Sequence, residues 1–136
     1  ADVIVGFPGE TEEKFLETYH FLNQLDVSYL HVFSYSERDN TEAAIMEDVV
    51  DKATRNKRSK MLRVLSAKKK RQFYDNQKGT TRSVLFEHEN KDGYMFGYTE
   101  NYLRVKTAFK QEYSNQILQT KINEMDENGV FIFEAI

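Results

Sequence analysis

Asp2-Val3-Ile4-Val5-Gly6-Phe7-Pro8-Gly9-Glu10-Thr11-Glu12-Glu13 is the stretch that decides how the first half of the chain folds. Asp2 to Val5 is a short β-branched run of the kind found in buried parallel strands, and Gly6 ends it. Phe7-Pro8-Gly9-Glu10 reads as a turn. Thr11 is then placed to cap a helix, with Glu12 and Glu13 in the first turn, where the helix dipole favours carboxylates. Phe15, Tyr19 and Leu22 recur at helical spacing and Leu16, Phe21 and Leu25 widen the stripe, so the helix is expected to end near Asp26. Tyr29-Leu30-His31-Val32-Phe33-Ser34-Tyr35 is a second strand, and Ser36 to Thr41 is a loop by composition. Strand, helix and strand with short joins make a βαβ unit. Such units belong to parallel sheets with helices outside, and two strands do not complete one, so the rest of the sheet is expected outside these residues.

Outward from this unit the period changes. Between Asp48 and Asn76 there is no Gly or Pro, and Val50, Ala53, Met61, Leu65 and Phe73 mark the apolar side of a long helix whose other side is Lys and Arg. After Gly79 the period is two. Ser83–Glu87, Gly93–Tyr98, Tyr102–Ala108, Gln116–Ile122 and Val130–Ala135 are five strand candidates, with turns at 90–93, 112–115 and 126–129. Five short strands in so few residues predict a small OB-like barrel, an architecture that often binds oligonucleotides. The expected fold is therefore α/β plus β: residues 1–77 as the βαβ unit with a linking helix, and 78–136 as the barrel.

The 136 residues are 40% apolar and include 18 Tyr and Phe, enough to form a core. No apolar run approaches the roughly 20 residues of a membrane helix and no signal segment opens the chain, so a cytoplasmic location without membrane contact is expected. With no cysteine, the chain by itself has no disulfide, thiolate nucleophile, Cys-ligated zinc or iron–sulfur ligation. It begins at Ala1, directly in strand-like sequence, which reads as a fragment of a longer polypeptide. The net charge of −3 conceals three blocks: residues 1–51 carry 2 basic against 12 acidic side chains, residues 52–78 carry 11 against 1, and residues 79–136 carry 6 against 9. The middle block is dense enough to neutralise several phosphates. Its lack of alternating acidic residues leaves a repulsion that calls for an outside partner.

The Gly6–Thr11 segment could be a glycine-rich phosphate cradle, but it lacks the Gly-Lys-Ser/Thr ending of a P-loop and the spacing of a dinucleotide fingerprint; the plainer reading is a strand-to-helix turn. In parallel α/β folds ligands gather at the C-terminal ends of strands, so this turn and the Tyr35–Thr41 loop are the two places to look. Arg38 in that loop can take a carboxylate or phosphate bidentately, or form a surface ion pair. His20, His31 and His88 have no second ligand at metal spacing, and no metal site is expected. Lys68, Lys69, Lys70 and Arg71 cover every direction around one helical turn, so some must face away from the packed side. In the barrel, Tyr94, Phe96, Tyr98 and Tyr102 interleave with Arg104 and Lys106; an exposed subset would form a stacking platform for single-stranded RNA.

Three motifs in order carry a family resemblance: Asp2 to Phe15, Tyr29 to Arg38 with Thr41, and Gly97-Tyr98-Thr99-Glu100-Asn101-Tyr102. Together they resemble the radical S-adenosylmethionine methylthiotransferases, in which a partial (βα) barrel is followed by a TRAM domain, a small OB-like RNA-binding barrel. The wording from Leu30 to Arg38 is most similar to the subfamily that thiomethylates C2 of N6-threonylcarbamoyladenosine next to the tRNA anticodon. Near alternatives act on isopentenyladenosine in tRNA or on an aspartate of a ribosomal protein. A non-enzymatic RNA-binding module is a reading of another class. The resemblance implies S-adenosylmethionine and two [4Fe–4S] clusters, whose cysteine ligands must lie in N-terminal domains preceding Ala1. The fragment alone is then expected to be inactive, to carry no catalytic residue, and to be open to self-association through its exposed strand edges. Carried over by position, Ile4, Val5 and Gly6 and then Phe33, Ser34 and Tyr35 would line the cofactor, and Arg38 would face the substrate. Lys68, Lys69, Lys70 and Arg71 with Tyr98, Asn101, Tyr102 and Arg104 would meet the tRNA anticodon stem-loop, Arg104 as a phosphate partner. Where the family usually has Pro-Gly after the Arg, this chain has Asp39-Asn40, which leaves the conformation of that loop open.

Overall fold

β1 (Asp2–Val5) and β2 (His31–Ser34) pair in parallel, with Ile4 opposite Phe33 and Val5 opposite Ser34. Between them runs α1 (Glu12–Gln24), capped by Thr11, whose hydroxyl accepts from the Lys14 N–H at 3.2 Å. This is the βαβ unit expected from the sequence. It belongs to a computed structural model that describes all residues 1–136 and divides into two compact units, Ala1–Phe73 and Tyr74–Ile136.

In the first unit, α1 and the long helix α2 (Lys52–Gln77) cover one face of the two-stranded sheet. Alternation along the strands turns Val3, Val5 and Val32 toward the helices, where Phe15, Leu22, Leu30, Leu62 and Leu65 complete the core. α2 starts later than Asp48: Asp51 accepts from the Thr54 N–H at 2.7 Å and so caps the helix. Two expected stripe residues shift as a result, since Val50 is buried ahead of the helix and Ala53 is exposed. Ser66 lies on the packed side, where its hydroxyl accepts from the Leu30 N–H and donates to the Leu30 carbonyl, both at 2.9 Å.

The second unit holds β3 (Thr81–Phe86), β4 (Tyr94–Thr99), β5 (Arg104–Ala108), β6 (Ile117–Lys121) and β7 (Phe131–Ile132), in the sheet order β6-β3-β4-β5-β7. All pairings are antiparallel except β5 with β7. Past β7 the chain returns to β6: Ala135 bridges Thr120, and the Lys121 N–H donates to the Glu134 carbonyl at 3.1 Å. The sheet is thereby curled toward closure in the order of a five-stranded OB-like barrel. Its interior holds Val84, Phe86, Met95, Leu103, Val105, Ile122 and Phe131, and Tyr74 stacks on Phe131 at 5.4 Å between ring centres. Gly97 is required here, since a Cβ would lie 2.4 Å from the Leu85 carbonyl oxygen.

Candidate functional site

The first unit's site lies where β1 and β2 end. Gly6 adopts φ +81°, and its N–H donates to the Glu10 carboxylate at 2.8 Å. The same oxygen accepts from Arg58 at 2.8 Å, and Arg58 also bonds the Glu10 carbonyl and Glu12 while its guanidinium lies over the Phe15 ring. A carboxylate therefore stands where a phosphate cradle would hold an anion, so the turn reading of Gly6–Thr11 is the one the geometry supports. Arg55 fills the notch beside Gly6. It donates to the Val50 carbonyl at 2.8 Å, to the Tyr35 carbonyl at 3.1 Å and to both carboxylate oxygens of Glu37 at 2.6 and 3.2 Å. The hydrogen bonds from Arg55 hold the Glu37 carboxyl at about 2, far below its ordinary value, and the carboxylate in turn raises Arg55.

This network corrects the reading of the charge blocks. Arg55 and Arg58 are 4% and 5% exposed, and their partners come from the acidic N-terminal block rather than from outside the chain. Lys69 is likewise engaged, donating to the Asn23 and Leu25 carbonyls at the end of α1, and Lys70 lies over the Tyr29 ring. Lys68 and Arg71 are exposed.

Of the six residues expected along the cofactor, Ile4 and Phe33 are 58% and 53% exposed, paired with each other on the sheet face opposite the helices, and Ser34 is exposed beyond them. Val5 is buried in the core and its carbonyl accepts from the Tyr35 N–H; only its backbone reaches the rim. Tyr35 packs edge-on to Phe7 with its hydroxyl buried and unpartnered. Arg38 is exposed and forms no ion pair; the Thr41 hydroxyl donates to its carbonyl at 2.7 Å. Asn40 takes φ +64°, the left-handed conformation that the glycine of a Pro-Gly turn would adopt, so Asp39-Asn40 still turns the chain.

In the second unit, Tyr98 and Tyr102 are exposed, as is Tyr94, while Phe96 is half-buried. Arg104 lies over both Tyr98 and Phe96 and pairs with Glu87 at 2.8 Å, which depresses the Glu87 carboxyl. In this structure Arg104 is thus a stacked side chain paired with a carboxylate. Asn101 is also engaged within the unit: it accepts from the Thr99 hydroxyl at 2.6 Å and donates to Gln77 at 3.0 Å. Sequence reasoning missed Arg55 and Arg58, which sit three apart in α2 and so share a face; that spacing was the available signal. No group of His, Asp or Glu has metal-holding geometry, and no helix is long and apolar enough to cross a membrane.

A βαβ unit with an open strand-end rim and a curled five-stranded sheet with an aromatic outer face are thus joined in one chain. No family model matches it. Among curated proteins it is 38% identical over 126 residues to threonylcarbamoyladenosine tRNA methylthiotransferase MtaB of Bacillus subtilis, covering 90% of this chain and 28% of that protein. It is 35% identical over 124 residues to the tRNA-2-methylthio-N(6)-dimethylallyladenosine synthase of Wolinella succinogenes, covering 90% and 29%. To ribosomal protein uS12 methylthiotransferase RimO of Alkaliphilus oremlandii it is 40% identical over 98 residues, covering 71% and 22%. The chain belongs to the radical S-adenosylmethionine methylthiotransferase family. It spans less than a third of the length of these relatives.

Proposed function

We propose that this chain is the C-terminal part of a cytoplasmic tRNA methylthiotransferase acting on C2 of N6-threonylcarbamoyladenosine. In this reading residues 1–77 supply the last strands of a radical S-adenosylmethionine barrel with its linking helix, and residues 78–136 are a TRAM domain. The observation that carries it is the Ile4–Phe33 pair, two large apolar side chains left open on the sheet face away from both helices, beside a strand-end rim built without a free anion cradle. Such a face suits a flat, uncharged adenine. Ile4 and Phe33 would contact it with their side chains, and Val5, Gly6, Ser34 and Tyr35 would shape the rim with their backbone. The cofactor, with two [4Fe–4S] clusters ligated outside this cysteine-free chain, supplies the hydrogen-abstracting radical chemistry when bound. No side chain here is assigned a catalytic step, so the chain alone is inactive. Arg38, free of ion pairs, would orient the substrate.

The threonylcarbamoyladenosine reading draws support from the MtaB relatives of Bacillus subtilis and Aquifex aeolicus. The second reading, isopentenyladenosine in tRNA or a ribosomal-protein aspartate, is favoured by the Wolinella and Alkaliphilus proteins. Mass analysis of tRNA nucleosides from a strain deleted for the gene decides between them: threonylcarbamoyladenosine should persist while its methylthio derivative disappears. Retention of that derivative overturns the proposal. For RNA contact, Lys52, Lys57, Lys60, Arg63, Lys68 and Arg71 are the exposed cations of α2 that hold no ion pair, hydrogen bond or ring contact. Their number predicts a log–log salt slope of about −5 for anticodon stem-loop binding, against about −10 if the whole basic block were engaged.

A further inference from the structure

Past the last ladder bond between β1 and β2, from the Tyr35 N–H to the Val5 carbonyl at 2.8 Å, the chain runs into the turn 6–11 on one side and the segment 36–51 on the other. A single backbone bond joins the two, from the Gly9 N–H to the Asp48 carbonyl at 2.9 Å. The polar ties that remain come from two arginines of α2. Arg55 seats its stem against Gly6, where a Cβ would lie 2.4 Å from Arg55 Cγ, and its guanidinium reaches the Tyr35 carbonyl and the Glu37 carboxylate. Arg58, three residues on, donates from one nitrogen to the Glu10 carbonyl at 2.9 Å and to Glu10 Oε1 at 2.8 Å, and that oxygen also takes the Gly6 N–H. Both ends of the rim are thereby tied to one face of one helix.

Stability alone does not account for this arrangement. The two arginines are 4% and 5% exposed, and the Glu10 side chain is 15% exposed. An ion pair buried to that depth adds little net stability over apolar side chains of the same volume, because desolvation offsets most of the attraction. What a guanidinium adds is direction, since its planar fork holds acceptors at a fixed distance and angle. The backbone it holds adjoins the open apolar face. Gly6 follows Ile4 by two residues and Tyr35 follows Phe33 by two, so a displacement of either backbone passes directly to the Ile4–Phe33 pair.

The geometry points to Arg55 and Arg58 as positioning residues that fix the Ile4–Phe33 face for the adenine of S-adenosylmethionine. The assignment rests on the reading of that face as the cofactor's wall and adds what holds the wall in place. Both arginines lie on the helix side of the sheet, and the face they align is on the other side. Arg55 acts through the backbone of Gly6 and Tyr35; Arg58 acts through Glu10. Without Arg58, Glu10 keeps the Gly6 N–H as the partner of a buried carboxylate, and it turns out to water or takes up a proton. Gly6 then loses its anchor to α2. A shift of about 1 Å in a binding wall is enough to weaken binding about tenfold or more.

The test compares Arg58→Gln, Arg58→Lys and the distant core variant Ser66→Ala in the full-length gene product loaded with its clusters. Equilibrium dialysis gives the S-adenosylmethionine affinity, steady-state rates give KM for S-adenosylmethionine and for tRNA separately, and hydrogen exchange of the Gly6 amide reports on the rim. Arg58→Gln should weaken S-adenosylmethionine binding about tenfold with a matching rise in its KM, leave the KM for tRNA within about twofold, and speed Gly6 exchange. Arg58→Lys keeps one charged bond to Glu10 and should recover part of the affinity. Ser66→Ala lowers the stability of the same unit away from the rim and should leave the affinity unchanged. Should Arg58→Gln fail to fold, Glu10→Gln/Arg58→Met removes both buried charges together and keeps an acceptor for the Gly6 N–H, and the same loss of affinity is expected of it. A wild-type affinity in folded Arg58→Gln or in the double variant overturns the inference, as does an equal loss in Ser66→Ala. Wild-type protein that binds no S-adenosylmethionine removes the cofactor reading itself, and the inference with it.

Discussion

Gly6→Ala probes the joint on which the strand-end rim depends. At φ +81° an alanine pays for its Cβ by about 1 kcal/mol in the left-handed region. The added methyl would also sit 2.4 Å from Cγ of Arg55 and 3.1 Å from its Cβ and Cδ. These atoms are at the root of the side chain, and its far end is anchored on Glu37 and the Val50 and Tyr35 carbonyls, so it has no free direction in which to swing. Overpacking of this kind costs about 1–3 kcal/mol, giving a total of about 2–4 kcal/mol for the substitution. Urea denaturation measures it, and hydrogen exchange of the Tyr35 amide, bonded to the Val5 carbonyl at 2.8 Å, reports on the first unit alone. In an Arg55→Ala background the 2.4 Å clash with Cγ disappears and only the 3.1 Å contact with Cβ is left, so Gly6→Ala should cost about 1–2 kcal/mol. Equal costs in the two backgrounds, within about 0.5 kcal/mol, would refute the steric argument.

Thr11→Ala removes the cap of α1 and should destabilise the first unit by about 1 kcal/mol in urea denaturation; an unchanged midpoint would mean the cap bond is idle. Ser66→Ala leaves both backbone groups of Leu30 without their partner, for a loss of about 1–3 kcal/mol and faster exchange of the Leu30 amide. Because the folded Glu37 carboxyl is lowered from 4.5 to about 2, its contribution is fully present above pH 4.5 and is lost as pH falls toward 2. The stability difference between wild type and Glu37→Gln should accordingly shrink across that window, and a difference that stays constant down to pH 2 contradicts the Arg55–Glu37 pairing.

The βαβ unit was legible because its signals are local. A β-branched run, a Thr with two Glu behind it, and a helical apolar stripe each depend on neighbours a few residues away, and β1, α1 and β2 formed where they pointed. The five strands of the second unit were legible through period two and Asn/Asp-Gly turns, and Asp92 and Gly93 do turn with positive φ. The parallel pairing of β5 with β7 and the return of residues 134–135 to β6 were not, because register between distant strands leaves no local mark.

The site was read less well, and for one physical cause: a charge count has no depth. Eleven cations in residues 52–78 look alike in a sum, yet burial sorts them. Arg55 and Arg58 face the core side of α2 together with Leu62 and Leu65, and a buried guanidinium must be met by carboxylates. Glu10 and Glu37, from the loops after β1 and β2, and Glu12, the first residue of α1, meet it. The acidic and basic blocks are thus partly two halves of one internal network. The same logic governs Arg104, which the family resemblance offered to phosphate and which here pairs with Glu87 and lies over two aromatic rings. What is left outside includes unpaired cations on α2 and at Arg38, and apolar surface at Ile4 and Phe33 and on the second unit's sheet. In the proposed tRNA reading, phosphate contact would fall to the exposed cations of α2, and added salt should weaken it.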